Sequence, residues 1–352
     1  MSATPILTED TPLQVLRRTW QPVALSSALE TGTSVPFCLL ETEIVVARLP
    51  GGLLAVADAC PHKGFRLSQS PIYGDEWRCA YHGWRFDNCG RCVGIPSLPE
   101  ASANKLEAAS LRPFGVRERY GFIWVQLESD AAFDIPDIPE FENANWTYLV
   151  APATPFEAGW RREVENFLDM THFAFAHAAT LGQAAEPRLP AMQIVARAPD
   201  AAPGAPDFEM HTQFPALSAP GTPPAKLGSA HARHYRTFLP NFTVIRQSWP
   251  DGDERLLLHI PTPNTRQSCT VFWSLAISPN FDGPPPQNQL DFAVRVLEED
   301  RLMCENQVPP EVPINPTRGG WGVLIAPGDT LANTFQRSLR AWLLQYLPAD
   351  AN

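Results

Sequence analysis

From residue 37 to residue 49 the chain reads Phe-Cys-Leu-Leu-Glu-Thr-Glu-Ile-Val-Val-Ala-Arg-Leu, an apolar, β-branched run that predicts a strand. Leu53 to Ala57 is its partner across the turn Pro50-Gly51-Gly52. Short β-prone pieces follow at Trp77–Cys79, Trp84–Asp87 and Tyr120–Leu127, separated by Gly, Pro and Asn. This is an all-β pattern with tight turns. A Pro/Asp-rich stretch at 130–141 sets a domain boundary near its start, giving expected domains 1–130 and 131–352. Beyond it the texture changes. Arg161 to about Ala179 is free of Pro and Gly and predicts a helix, as do 288–306 and Asn333–Leu347. Strands are expected at 192–197, 208–214, 231–238, 242–249, 255–260 and 268–277, with loops at the Pro/Ala/Gly-rich segments 198–206 and 216–228. Helices beside an antiparallel sheet make the second half α+β.

Composition narrows the function. The chain has 352 residues, enough for two domains, and its 44% hydrophobic content supports a sizeable core. A net charge of −11 with no dense Lys/Arg run argues against a nucleic-acid partner. The first ten residues lack the basic and apolar regions of a signal peptide, and no stretch reaches the roughly 20 apolar residues of a membrane span. Seven cysteines, an odd number, do not form a disulfide framework. A reducing cytoplasm with free thiols or metal ligands is the expectation.

Two groups of residues carry chemistry. In the first, Cys60-Pro61-His62 and Cys79-Ala80-Tyr81-His82 each supply one thiolate and one imidazole. Two Cys and two His can hold tetrahedral zinc, or a two-iron, two-sulfur centre with both thiolates on one iron and both imidazoles on the other. The interleaved order is unlike a zinc finger that pairs Cys-x-x-Cys with His-x-x-x-His. Gly64 and Gly83 are expected to leave room for backbone N–H bonds to bridging sulfides. Cys89-Gly90-Arg91-Cys92 sits in a turn with no partner pair and is read as a turn without a catalytic role, and Cys38, Cys269 and Cys304 as core or helix residues.

In the second group, Glu165, Asp169 and His172 are spaced i, i+4, i+7 on one face of the expected helix, and His177 lies about 140° further round from His172. The two imidazoles reach one ion only if the helix ends or loosens between them, or if the metal sits at the side of its last turn. A third ligand is needed, and the later helix offers three adjacent acids, Glu298, Glu299 and Asp300. Two histidines and one carboxylate form the facial triad of non-haem Fe(II). The remaining histidines, His211, His231, His234 and His259, and the aromatics Trp249, Phe272 and Trp273 fall on or near expected strands, where inward-pointing ones would bound a substrate.

The stretches Cys60-Pro-His-Lys-Gly-Phe-Arg-Leu-Ser68 and Cys79-Ala-Tyr-His-Gly-Trp-Arg-Phe-Asp87 resemble the cluster motif of the Rieske oxygenases. Glu165-Asn-Phe-x-Asp169-x-x-His172-x-x-x-x-His177 and Glu299-Asp300-x-x-x-x-Glu305-x-Gln307 resemble their mononuclear-iron segments. The resemblance implies an all-β Rieske [2Fe-2S] domain followed by a helix-grip catalytic domain. By it Cys60, His62, Cys79 and His82 hold the cluster, and His172, His177 and Asp300 hold Fe(II). It implies that Asp169 bridges His172 to His82 of a neighbouring subunit in a head-to-tail homotrimer. Dioxygen is the implied co-substrate. The compact length, the stretch Glu163–His177 and the segment Ala185–Pro190 are similar to the monooxygenase and demethylase branch, methylxanthine N-demethylases and aromatic O-demethylases among it.

No Gly-x-Gly-x-x-Gly follows an expected strand, so NAD(P)H is expected to act indirectly, through a separate reductase, alone or with a ferredoxin. Lys63, Arg66, Arg78, Arg85 and Arg91 outnumber Asp75, Glu76 and Asp87 around the cluster, an expected docking patch for an acidic redox partner. Oxidative demethylation of a small aromatic or heterocyclic substrate is the leading expectation. The alternatives are hydroxylation or cis-dihydroxylation without demethylation, and a pure electron carrier without oxygenase activity.

Overall fold

The computed structural model describes residues 7–129, 133–181, 191–198, 200–201, 204–214, 216, 226–315 and 327–347. The chain forms two compact units, Leu16–Asp134 and Met1–Val15 with Ile135–Asn352. The N-terminal segment groups with the second unit because Glu9 accepts a bond from the Ile314 N–H at 3.0 Å and pairs with Arg161 at 3.4 Å.

The unit Leu16–Asp134 is built from three small antiparallel sheets. One joins Gln21–Leu25, Phe122–Gln126 and Gly115–Arg119, and a second joins Thr33–Leu39, Thr42–Leu49 and Gly52–Ala57. The run at 37–49 is therefore two strands of a hairpin. Leu40 and Glu41 form its tip with φ of 52° and 61°, a turn that Gly or Asn normally marks and that this sequence makes without either. The third sheet, Ile72–Tyr73, Glu76–Arg78, Arg85–Phe86 and Cys92–Gly94, carries the second Cys/His loop. Its core is Val45, Leu54, Val56, Leu67, Trp77 and Phe86, packed with Cys60 and Cys79 themselves.

The second unit holds an eight-stranded antiparallel sheet. Its order is Thr147–Val150, Cys269–Ile277, Glu254–Pro263, Phe242–Ser248, His231–Phe238, Phe208–Phe214 and Met192–Ala196, with Thr154–Phe156 also paired to Cys269–Ile277. Every residue of Cys269–Ile277 is buried. The strands Phe208–Phe214 and His231–Phe238 alternate between buried and more exposed positions, so one face turns inward. Three helices, Trp160–Leu168, Pro286–Glu305 and Thr330–Tyr346, flank the sheet. The fold is thus a β-rich first unit and an α+β second one with a large open sheet. Among the described residues no helix is long and apolar enough to cross a membrane.

The helix expected over 161–179 is a correction. It stops at Leu168, where Asp169 turns extended at φ −90° and ψ 129°, and a separate single turn covers Phe173–Ala176. Asp169 causes the break. Its Oδ1 accepts both the N–H and the hydroxyl of Thr171, at 2.7 and 2.6 Å, a local bond that competes with helix continuation. Glu165, expected on the ligand face, instead accepts from Gln336 at 3.0 Å and lies 3.4 Å from Arg162.

Candidate active site

The two Cys/His loops are built alike. Cys60 donates its N–H to Phe65 O and receives the Gly64 N–H on its own carbonyl, both at 2.8 Å. Cys79 does the same with Trp84 O and Gly83, at 2.8 and 2.9 Å. Gly64 and Gly83 both sit at φ +69°, a conformation only glycine adopts cheaply, which explains the glycine two or one residues after each histidine. Their own N–H groups are committed to these turns. The first loop is also tied by the buried Asp58, which accepts the N–H and hydroxyl of Ser68 at 2.8 and 2.7 Å.

Cys60 and Cys79 are buried, and His62 and His82 reach the surface. The imidazoles meet edge to face with centroids 4.5 Å apart, and Trp84 stacks on His62 at 4.7 Å. His62 Nδ1 is buried with no hydrogen-bond partner, as a ligand atom awaiting a metal would be. Burial, reinforced by Cys79 alongside, pushes the Cys60 thiol up to about 11, a cost that binding a cation would relieve. Among the described residues, the ligating groups whose donor atoms gather within 4.8 Å are His172/His177/Asp300 and Glu209/His211/His234. The Cys/His quartet does not gather so tightly, as suits ligands divided between two irons rather than one tetrahedral ion. Cys89 is exposed and Cys92 buried in a turn shaped by Asp87 Oδ1, which accepts the N–H groups of Cys89 and Arg91 at 2.9 Å each.

In the second unit the break at Asp169 lets His172 and His177 face each other across the short turn. Their Nε2 atoms lie 3.1 Å apart, and Asp300 Oδ1, from the helix Pro286–Glu305, lies 3.3 Å from the first and 3.0 Å from the second. Adjacent ligands of an octahedral ion with bonds of about 2.1 Å are about 3.0 Å apart, so this triangle fits one face of such an ion. The donor set of two imidazoles and one carboxylate with open positions suits ferrous iron.

Each ligand atom is held by a second group. Asp169 Oδ2 is 3.3 Å from His172 Nδ1, and Asn166 Nδ2 donates to Asp300 Oδ1 at 2.7 Å. Glu299 Oε2 lies 2.7 Å from His177 Nδ1 and accepts the Thr180 hydroxyl at 2.6 Å. Glu299 and Asn166 are the functional residues that sequence reasoning missed. Glu299 had been no more than a neighbour of Asp300, and no spacing rule separates adjacent acids whose partners lie more than a hundred residues away. Burial lowers the His172 pKa, but hydrogen bonds to Asp169 and Asp300 outweigh it and raise it to about 9. Burial raises that of Asp300, yet the two imidazoles hold it down to about 2.

The triad opens on a cavity between this helix and the inner face of the sheet, about 780 Å³ counted out to its mouth. Phe167, Phe173, Tyr235, Trp273 and Phe292 supply aromatic walls, and Arg233, Gln247 and Arg255 a polar end. Of the other expected pocket residues, His259 lines the cavity, stacked on Phe167 at 3.7 Å and 2.9 Å from the buried Glu163. Trp249 and Phe272 are buried in packing roles, and His231 is buried with its Nε2 3.0 Å from both Arg233 Nε and Gln247 Nε2. His211 and His234 are cross-strand partners on the outer face, stacked 4.1 Å apart beside Glu209. The segment Ala185–Pro190 lies outside the described residues.

Residues 19–112 match the Rieske [2Fe-2S] domain, and residues 156–345 match the vanillate O-demethylase oxygenase C-terminal domain. The chain is 30% identical over 314 residues to the methylxanthine N3-demethylase NdmB of Pseudomonas putida, covering 84% of this chain and 83% of that one. The solved structure of NdmB superposes with a TM-score of 0.75 at 25% identity over 95% of this chain and 96% of that one. The structure of Pseudomonas putida NdmA with caffeine superposes with a TM-score of 0.79 over 97% of both chains, at 24% identity, a likeness of fold. Because both halves of this architecture are matched along one chain, and a curated relative aligns across most of it, the chain belongs to the Rieske non-haem iron oxygenases, as a catalytic component related to the methylxanthine and aromatic demethylases.

Proposed function

We propose that the chain oxidatively demethylates a small aromatic or heterocyclic N- or O-methyl compound. One atom of dioxygen enters the methyl group and the other leaves as water, with two electrons drawn from NAD(P)H, and the hydroxymethyl product releases formaldehyde. The observation that carries this reading is the two-histidine, one-carboxylate centre opening on an aromatic-walled cavity in a chain 30% identical to an N-demethylase.

His172, His177 and Asp300 would hold Fe(II), and Cys60, His62, Cys79 and His82 a [2Fe-2S] cluster. When bound, the irons supply electron transfer and dioxygen activation. The chain's own residues do the positioning. Glu299 accepts a hydrogen bond from His177 Nδ1–H, and Asp169 one from His172 Nδ1–H, leaving both Nε2 lone pairs toward the shared point. Asn166 fixes the Asp300 carboxylate. The aromatic walls hold the methyl-bearing ring and exclude water. Asp169 would also take a hydrogen bond from His82 of the partner subunit in a homotrimer, a route for one electron at a time.

Electrons are proposed to come from a separate reductase, directly or through a ferredoxin. Around the cluster Arg66 pairs with Glu43 and Asp58, Arg85 with Glu76, and Arg91 with Asp87. No carboxylate lies within 4 Å of Lys63 or Arg78 among the described residues, so the docking patch reduces to these two. A cytoplasmic setting fits a chain dependent on soluble reductants. The test is to reduce the iron-replete protein without oxygen, then admit labelled dioxygen with N-methyl, O-methyl and unmethylated aromatics. A product one methylene lighter with stoichiometric formaldehyde supports demethylation. Label retained in a product with all its carbons would make the enzyme a hydroxylase instead.

A further inference from the structure

Among the described residues, four arginines are buried in the second unit: Arg161, Arg162, Arg233 and Arg255. Two are paired with acids. Arg161 lies 3.3 Å from Glu311 and 3.4 Å from Glu9, and Arg162 lies 3.4 Å from Glu165. Arg233 and Arg255 have no carboxylate within 4 Å among the described residues, and both line the cavity above the triad.

These two arginines are arranged together. Arg233, Gln247 and Arg255 are direct partners across three adjacent strands, so their side chains form one row on the inner face of the sheet. Among the described residues, every contact that holds the row is neutral. Arg255 Nε donates to Gln247 Oε1 at 2.8 Å, and its Nη1 is buried without a partner. Arg233 Nε donates to His231 Nε2 at 3.0 Å, and its guanidinium lies 4.0 Å from the centre of the Phe214 ring. His231 Nδ1 in turn lies 2.8 Å from Ser229 O, which leaves Nε2 as the acceptor of a neutral imidazole. Among the described residues that line the cavity the one carboxylate is Asp300, and it is engaged by His172, His177 and Asn166.

Two buried, unneutralised guanidiniums are unfavourable unless an anion arrives to pair with them. We propose that the Arg233–Gln247–Arg255 row is an anion subsite, and that the substrate is an aromatic carboxylate rather than an uncharged heterocycle. This assignment rests on the cavity being the oxygenase's substrate site. A guanidinium presents two parallel N–H groups that match the two oxygens of a carboxylate, and the ring would lie against Phe167, Phe173 and Trp273 with its methyl toward the triad. Burial, and after it the charge of Arg233, lowers the Arg255 pKa to about 9, in keeping with a cation that lacks its counter-ion.

The test is calorimetric binding to the iron-replete protein of 4-methoxybenzoate, its amide 4-methoxybenzamide, and caffeine, with unsubstituted benzoate and phenylacetate alongside. The acid is expected to bind at least about ten-fold more tightly than the amide of the same shape. Arg255→Met should erase that preference while Arg255→Lys retains part of it, with thermal unfolding confirming that each variant is folded. Equal binding of acid and amide, preference for caffeine, no binding of any carboxylate at millimolar concentration, or a preference that survives in both Arg255→Met and Arg233→Met would each overturn the subsite. The wild-type comparison stands whether or not the variants fold. Selective binding of the acid without formaldehyde release would keep this subsite and overturn demethylation. Formaldehyde released from uncharged substrates alone would do the reverse.

Discussion

Replacing Glu299 by alanine removes the carboxylate that orients His177. In the native arrangement that carboxylate lies 2.7 Å from His177 Nδ1 and 2.6 Å from the Thr180 hydroxyl. His177 is fully buried, so its Nδ1–H depends on that acceptor. An orphaned buried donor costs about 1–3 kcal/mol. Loss of such a supporting group lowers metal affinity by roughly 10–100-fold, which at 1.4 kcal/mol per decade is about 1.4–2.8 kcal/mol. The first figure is a loss of folding stability, and the second is the weaker iron binding that the assay reads. Glu299→Gln keeps an oxygen in place without the charge and should fall between wild type and Glu299→Ala. The assay is anaerobic competition for Fe(II) between the protein and a chelator, with the visible absorption of the cluster as an internal control, because the cluster lies in the other unit. A Glu299→Ala protein that held its mononuclear iron within two-fold of wild type would refute the assigned support, as would one that lost the cluster to the same degree.

Cys60→Ser should abolish the visible spectrum of the cluster, whereas Cys89→Ser, altering an exposed turn residue, should leave spectrum and iron content unchanged. Asp169→Asn keeps a side chain able to bond Thr171 but loses its charge beside His172; iron should stay bound while the rate of electron arrival at the mononuclear site drops at least about ten-fold in single turnover. Burial, and then the charge of Arg233, lowers the His231 pKa from 6.5 to about 3. The unfolded chain therefore takes up this proton below pH 6.5 while the native state refuses it until about pH 3, so the contribution to stability is complete above pH 6.5 and drains away as pH falls. Between pH 7.5 and 5.5 the loss is about 1.4 kcal/mol, and urea titrations at the two pH values should show His231→Gln losing less than wild type by that amount.

Much of the fold was legible because strands of this sheet carry their own signal. Phe208–Phe214 and His231–Phe238 alternate in burial along their length and coincide with the strands expected there. The misses have local physical causes. Leu40–Glu41 turns the chain with two left-handed residues and no Gly or Asn to announce it. Trp160–Leu168 looked longer because nothing in Phe, Ala and His opposes a helix; a single side-chain bond from Asp169 ends it. Short strands such as Ile72–Tyr73 and Thr154–Phe156 are too brief for any periodicity to show. In the site, the Cys/His loops and the histidine pair were legible as motifs, since their ligands are close in sequence. Choosing Asp300 over Glu298 and Glu299 needed a family resemblance, and the structure gives the physical distinction: Asp300 meets both Nε2 atoms and Glu299 the opposite nitrogen of His177. The Arg233–Gln247–Arg255 row was not legible, because it exists only through the register of three strands.

The most direct test of the two-centre account is iron counted per chain alongside the cluster spectrum, in wild type and in Asp300→Ala. The account expects about three irons per chain in wild type, two in the cluster and one at the triad, and about two in Asp300→Ala with an intact cluster spectrum and no turnover. Two irons in an active wild-type protein, or a third iron and activity that persist without the Asp300 carboxylate, would contradict it.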